Sequence, residues 1–302
     1  MAFAKFGRVI TAMITPFHED GSVDYEGAAV LAKHLVQHGS EGILVGGTTG
    51  EGATMTTDEK ICLYETIVKA VGKKAEGKQV PVMGNIGTIG TADTIAFAKK
   101  AKETGIDCAL AIVPFYVKPN QEGMYQHFTT IAKAVDLPIV LYNVPGRTGV
   151  SILPETIKRV VDECPNVVGI KDATGNWDQV TKEKILLPED FMIYSGDDAF
   201  TLPILAAGGV GVISVASHVI GDDLLDMIKA FEEGNMEKAR ALHLKMYHLM
   251  KEMFFTASPI PVKTAVNLVG LPGGHFRLPL VEPSSSEKEH VKELLEDYGG
   301  LL

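Results

Sequence analysis

Val167-Val168-Gly169-Ile170-Lys171-Asp172-Ala173-Thr174 is a short apolar run closed by a lysine, a carboxylate and a hydroxyl. It shows no apolar/polar alternation, the pattern of a strand buried on both faces in a parallel sheet. Seven comparable runs rich in Val and Ile accompany it, at 9–13, 42–45, 80–85, 108–113, 138–142, 192–195 and 211–214. Between them lie segments of helical period near 25–38, 57–71, 91–104, 121–134, 154–163, 176–186 and 198–207, with an eighth near 219–233. Eight βα units at nearly even spacing predict an α/β chain, a (β/α)8 TIM barrel, over residues 1–233. A doubly wound sheet has no use for eight regular repeats. After Gly234 the rhythm stops. Asn235 reads as the N-cap of a long helix through Phe254, and further helices near 259–269 and 285–297 make residues 234–302 an all-helical C-terminal extension.

Composition narrows the function classes. The 302 residues are 46% hydrophobic and 22% charged, with 28 Lys plus Arg against 38 Asp plus Glu, a net charge of −10. That sign argues against nucleic acid or an anionic membrane as the main partner. The three cysteines, Cys62, Cys108 and Cys164, form no C-x-x-C pair, so a reducing, cytoplasmic setting fits better than a disulfide framework or a thiolate zinc site. Residues 1–8 lack the apolar core of a signal peptide. Residues 199–221 carry no Asp, Glu, Lys or Arg, but Pro203, Gly208-Gly209 and Gly211 divide them into a buried helix, a turn and a strand rather than a membrane span.

In a barrel of this kind, catalytic groups sit at the carboxyl ends of strands, and the polar residues cluster there. The second run leads into Gly46-Gly47-Thr48-Thr49-Gly50-Glu51 and the fourth into Pro114-Phe115-Tyr116. The fifth ends in Tyr142-Asn143-Val144-Pro145-Gly146-Arg147-Thr148, the seventh in Ser195-Gly196-Asp197-Asp198, and the eighth carries Val212-Ile213-Ser214. Lys171 is the most informative. Closing an apolar strand, its ammonium is disfavoured by desolvation, and a neutral amine can attack a ketone to form a Schiff base. The alternative is a lysine that snorkels outward or pairs with Asp172. Thr48 and Thr49 could cradle a carboxylate, or the loop is an ordinary glycine turn. Tyr142 and Tyr116 could relay protons, or pack at strand edges. Arg147 reads a carboxylate if it faces the mouth and pairs at the surface otherwise.

Other features carry less. Gly84-Asn85-Ile86-Gly87-Thr88-Ile89-Gly90 lacks the spacing of a dinucleotide fingerprint. His34 and His38, at i and i+4, have no third ligand nearby and read as a solvated face. Met246, Met250 and Met253 at helical spacing read as core filler.

Taken together, Gly47-Thr48-Thr49-Gly50-Glu51, Tyr142-Asn143-Val144-Pro145-Gly146-Arg147-Thr148 and Gly169-Ile170-Lys171-Asp172-Ala173-Thr174 resemble the dihydrodipicolinate synthase family, the 4-hydroxy-tetrahydrodipicolinate synthases. The resemblance covers the whole chain, tail included. The wider pyruvate-aldolase superfamily shares the lysine, the tyrosine and a Gly-x-Thr-Gly-Glu loop. Arg147 and the double threonine favour the synthases over the sialic-acid and sugar-acid lyases.

The resemblance implies that Lys171 condenses with pyruvate to an imine and then an enamine. The enamine attacks the aldehyde of L-aspartate 4-semialdehyde, and transimination frees the lysine. Tyr142 would donate and accept the proton, relayed through Thr49 to Tyr116, the last reaching in from a neighbouring subunit of a homotetramer built as a dimer of dimers. Thr48 and Thr49 would hold the pyruvate carboxylate near the Ile213 carbonyl and Gly196, and Arg147 would take the aldehyde's carboxylate. The covalent imine stands in for a cofactor, so neither metal nor nicotinamide is implied. Where lysine-inhibited relatives place polar residues, this chain has Thr57, Lys60, Ile89 and Phe115. A cation at Lys60 and apolar side chains at Ile89 and Phe115 imply weak or absent lysine inhibition.

Overall fold

The computed structural model describes residues 4–73 and 75–302, so the first three residues of the stretch read for a leader lie outside it. Eight parallel strands follow one another in chain order and close into a barrel. They are β1 (Val9–Ala12), β2 (Gly42–Val45), β3 (Val82–Asn85), β4 (Cys108–Ile112), β5 (Ile139–Asn143), β6 (Val167–Asp172), β7 (Met192–Ser195) and β8 (Gly211–Ser214). Their residues are almost all buried, as unalternating Val/Ile runs require when helices cover the outer face. The connecting helices are α1 (Tyr25–Gln37), α2 (Thr57–Val71), α3 (Thr91–Glu103), α4 (Gln121–Ala134), α5 (Pro145–Thr148), α6 (Pro154–Glu163), α7 (Trp177–Leu186), α8 (Thr201–Ala206) and α9 (Ser217–Glu232). After Gly234 come α10 (Met236–Glu252), α11 (Ile260–Leu268) and α12 (Ser285–Tyr298).

Local chemistry sets the helix starts. Asp24, Asn120, Asn176 and Asn235 each accept a hydrogen bond from the third backbone N–H beyond, capping α1, α4, α7 and α10. Thr56 with Glu59, and Ser284 with Glu287, form full capping boxes on α2 and α12. The uncharged stretch 199–221 resolves into α8, a glycine turn, β8 and the start of α9, and no helix among the described residues is long and apolar enough to cross a membrane. Met246, Met250 and Met253 are buried in the core, as their spacing predicts.

Two compact units emerge. One comprises residues 83–213 together with residues 4 and 5; the other comprises 6–82 with 214–302. In the first, β3 to β8 run side by side, and the register sets Tyr142 beside Lys171, Asn143 beside Asp172 and Asp172 beside Ser195. In the second, β1 pairs with β2, and α9 packs on α10 and on β1.

Candidate active site

In the unit of residues 83–213, Lys171 is the penultimate residue of β6 and only 5% exposed. Its Nζ lies 4.5 Å from the ring centroid of Tyr142, the neighbour that the strand register supplies. No ion pair reaches Lys171 among the described residues, so the snorkelling and Asp172-pairing alternatives both give way to a buried amine. Burial lowers its pKa from the ordinary 10.5 to about 8; the Asp198 carboxylate pulls it back up and the Arg147 guanidinium pushes it further down. At pH 7 roughly one Lys171 side chain in ten is then neutral, against about one in 3,000 at the ordinary value.

The other predicted residues of this unit stand as follows. Arg147 lies on α5, a single turn that Pro145 starts and Gly149 ends in the left-handed conformation, and its side chain is exposed but close enough to act on Lys171. Gly196 follows β7, where its N–H donates to the Asp172 carbonyl at 2.6 Å. A Cβ there would stand 2.7 Å from the Ala173 methyl, which is why the position takes glycine. Ile213 is buried in β8. Tyr116 is not packed into its own unit: it is 85% exposed, on a loop where it takes a positive φ of 67°.

In the other unit, Thr48 is exposed and Thr49 buried in the turn after β2. The turn is drawn tight: Gly52 N–H donates to the Gly47 carbonyl, and a Cβ on Gly52 would fall 2.0 Å from the Gly46 carbonyl oxygen. Glu51, adjacent to this close approach, adopts a left-handed φ of 52°, unusual for a non-glycine residue. An ion pair holds it there. Glu51 Oε1 accepts from Lys263 Nζ at 2.7 Å, with both side chains 0% exposed. The same ammonium donates to the Thr15 carbonyl at 2.9 Å and lies 4.5 Å from the Phe17 ring centroid, while Thr15 Oγ1 donates to the Gly50 carbonyl. Arg277 N–H donates to Glu51 Oε2, and its guanidinium pairs with Glu59 at the start of α2. The threonine turn is thus pinned from α11 and from the segment before α12.

The sequence reading did not assign Lys263, Asp198 or Glu183 to the site. Lys263 carried a signal that went unused, being the only charged residue in Ile260–Leu268. His34 and His38 stack with ring centroids 4.3 Å apart, and His38 Nδ1 contacts Asp222, so neither is organised as a ligand.

A model of the Dihydrodipicolinate synthetase family matches residues 5–298. Among curated relatives, 4-hydroxy-tetrahydrodipicolinate synthase of Heliobacterium modesticaldum is 50% identical over 295 residues, covering 98% of this chain and 96% of its own. The synthase of the same name from Desulforamulus reducens is 47% identical over 295 residues, covering 98% of both chains. Among solved structures, the dihydrodipicolinate synthase of Cyanidioschyzon merolae, crystallised with lysine bound, superposes with a TM-score of 0.94 at 43% identity, covering 98% of this chain and 99% of that one. On a match spanning nearly its whole length, the chain belongs to the dihydrodipicolinate synthetase family.

Proposed function

We propose that this lyase joins pyruvate to L-aspartate 4-semialdehyde, as a 4-hydroxy-tetrahydrodipicolinate synthase of lysine and diaminopimelate biosynthesis. The observation that carries the reading is Lys171, an amine with no ion pair among the described residues, buried beside a tyrosine and partly neutral near pH 7. The neutral amine adds to the pyruvate ketone and expels water, giving the imine. Loss of a methyl proton gives the enamine, which forms the C–C bond at the aldehyde carbon, and the substrate's own amine then displaces the lysine. Tyr142, whose ring lies beside Lys171 Nζ, accepts and returns the protons in this reading. Thr49 and Tyr116 complete the relay, Thr48 and Thr49 hold the pyruvate carboxylate, and Ile213 and Gly196 line the same site; these roles rest on the family motifs. The exposed ring and positive φ of Tyr116 support its service to a neighbouring subunit, and the family resemblance extends this to a homotetramer. No step calls on a metal or nicotinamide, and the cytoplasm is the setting that fits.

Arg147, exposed at the end of the fifth βα unit, takes the carboxylate of the semialdehyde. Arg147→Ala is expected to raise KM for the semialdehyde roughly 10- to 100-fold, the worth of a charge-assisted pair. Pyruvate trapping should persist, its pH midpoint moving slightly upward because a cation that lowers the Lys171 pKa is gone. An unchanged KM for the semialdehyde in a steady-state assay would remove Arg147 from this role.

Lysine feedback is absent or weak in this reading. Ile89 is 40% exposed and offers no polar partner to a lysine ligand, and Lys60 opposes its charge. Burial lowers the Lys60 pKa, so the repulsion is strongest towards acid pH. Initial rates should hold within about twofold in millimolar lysine; strong inhibition would overturn the assignment.

A further inference from the structure

Lys171 and Tyr142 are each followed by a buried polar residue on the opposite face of the strand, Asp172 and Asn143, which the register again sets side by side. Behind them α7 presents Gln179 and Glu183, both buried. Asn143 Nδ2 donates to the Ile152 carbonyl at 3.1 Å, and Gln179 Nε2 donates to that same carbonyl at 2.9 Å and to Glu183 Oε1 at 3.0 Å. Asp172 Oδ1 accepts from the N–H and hydroxyl of Thr174 at 3.0 and 2.7 Å. The remaining oxygens, Asp172 Oδ2 and Glu183 Oε2, are both buried and receive no hydrogen from any described group, and the two side chains act on each other.

Two carboxylates offer four acceptors and no donor, so two buried, undonated oxygens of interacting side chains are satisfied only if the pair holds a proton. Among the described residues, no cation pairs with either carboxyl. The register partners of Asp172 are Asn143 on β5 and Ser195 on β7, and the buried residues of α6 are Pro154, Thr156, Ile157 and Val160. Lys171, two residues from Gly169 and next to Asp172, projects from the opposite face of β6. Thr174 gives Asp172 two donors that favour its charged form, whereas Glu183 has one neutral amide.

We propose that Asp172 and Glu183 share a single proton, carried by Glu183 and donated to Asp172, and that this pair is a positioning device clamping the end of β6, behind Lys171, to α7. Burial raises the pKa of both groups, and the neighbouring Asp172 charge raises that of Glu183 further, in the direction the shared proton needs. The proton rests on two buried, undonated oxygens of interacting side chains; only its consequence for imine formation rests on the function proposed above.

Infrared spectroscopy of the wild-type protein at neutral pH, compared with Glu183→Gln and Asp172→Asn, reads the proton directly. A protonated-carboxyl stretch that shifts in D2O and is lost in Glu183→Gln is expected. Absence of that band from the wild type, or its full persistence in both variants, would overturn the shared proton. Positioning is read by borohydride trapping of pyruvate. Glu183→Gln, whose amide can donate to Asp172, should trap within about twofold of wild type, and Glu183→Leu, which cannot donate, at least about tenfold more slowly with unchanged apparent pyruvate affinity. Equal rates in all three proteins would overturn the clamp. A wild type that traps no pyruvate would instead defeat the proposed function and leave the infrared result to decide the proton.

Discussion

Lys171→Met is expected to abolish the pyruvate adduct and to lower kcat by on the order of 10^4-fold or more, since removal of a nucleophile leaves only binding and orientation behind. The same substitution should make the protein more stable at pH 7. Burial holds the Lys171 pKa at about 8 rather than 10.5, so the folded state penalises the ammonium. A depression of that size corresponds to roughly 3 kcal/mol. For a lowered lysine pKa the unfolded chain binds more protons between the two values, so the penalty is complete below about pH 8 and relieved as pH rises to about 10.5. Methionine keeps the volume and drops the charge. Urea melts of the variant should therefore show a gain at pH 7 that shrinks through pH 9 and vanishes above pH 10.5. A loss of stability at pH 7, or a gain independent of pH, would show that the site does not strain this lysine.

Lys263→Met should have the opposite effect on stability. Among the described residues it leaves the buried Glu51 carboxylate the Arg277 N–H as its one hydrogen-bond donor, and removing one member of a buried pair typically costs about 3–5 kcal/mol. Glu51 sits in a strained left-handed conformation next to Thr48 and Thr49, so the turn should relax and pyruvate trapping should slow along with the melt. Adding Glu51→Gln to Lys263→Met removes the stranded charge and should restore a large part of the loss. The double-mutant cycle then gives a coupling of about 2 kcal/mol or more. Additive losses would mean that the pair does not hold the turn.

The barrel was legible because its strands advertise themselves: every run read from the sequence forms a strand, with ends moved by one or two residues. The differences have local causes. Pro145-Gly146-Arg147-Thr148, which the sequence places after the fifth run with no helix assigned, forms one helical turn because Pro145 sits at the first helical position and Gly149 ends it left-handed. Asp172 extends β6 because its backbone is in register with Asn143 and Ser195. Lys171, Tyr142 and Arg147 were legible as candidates because strand ends concentrate chemistry in this fold. The residues that support them were not. Lys263 reaches Glu51 across 212 residues of sequence, and no local pattern encodes that pairing. Glu183 lies one turn beyond the buried Val180, so helical periodicity puts it on the inner face of α7, but its carboxyl partner is fixed only by tertiary packing.

The most direct measurement is borohydride reduction of the wild-type protein with pyruvate across a pH series, followed by intact mass and peptide mapping. One pyruvate-sized adduct on Lys171, absent from Lys171→Met, with a trapping rate that rises through about pH 8, is the predicted result. Folded protein that forms no adduct, or one that forms it on another lysine, would contradict the account.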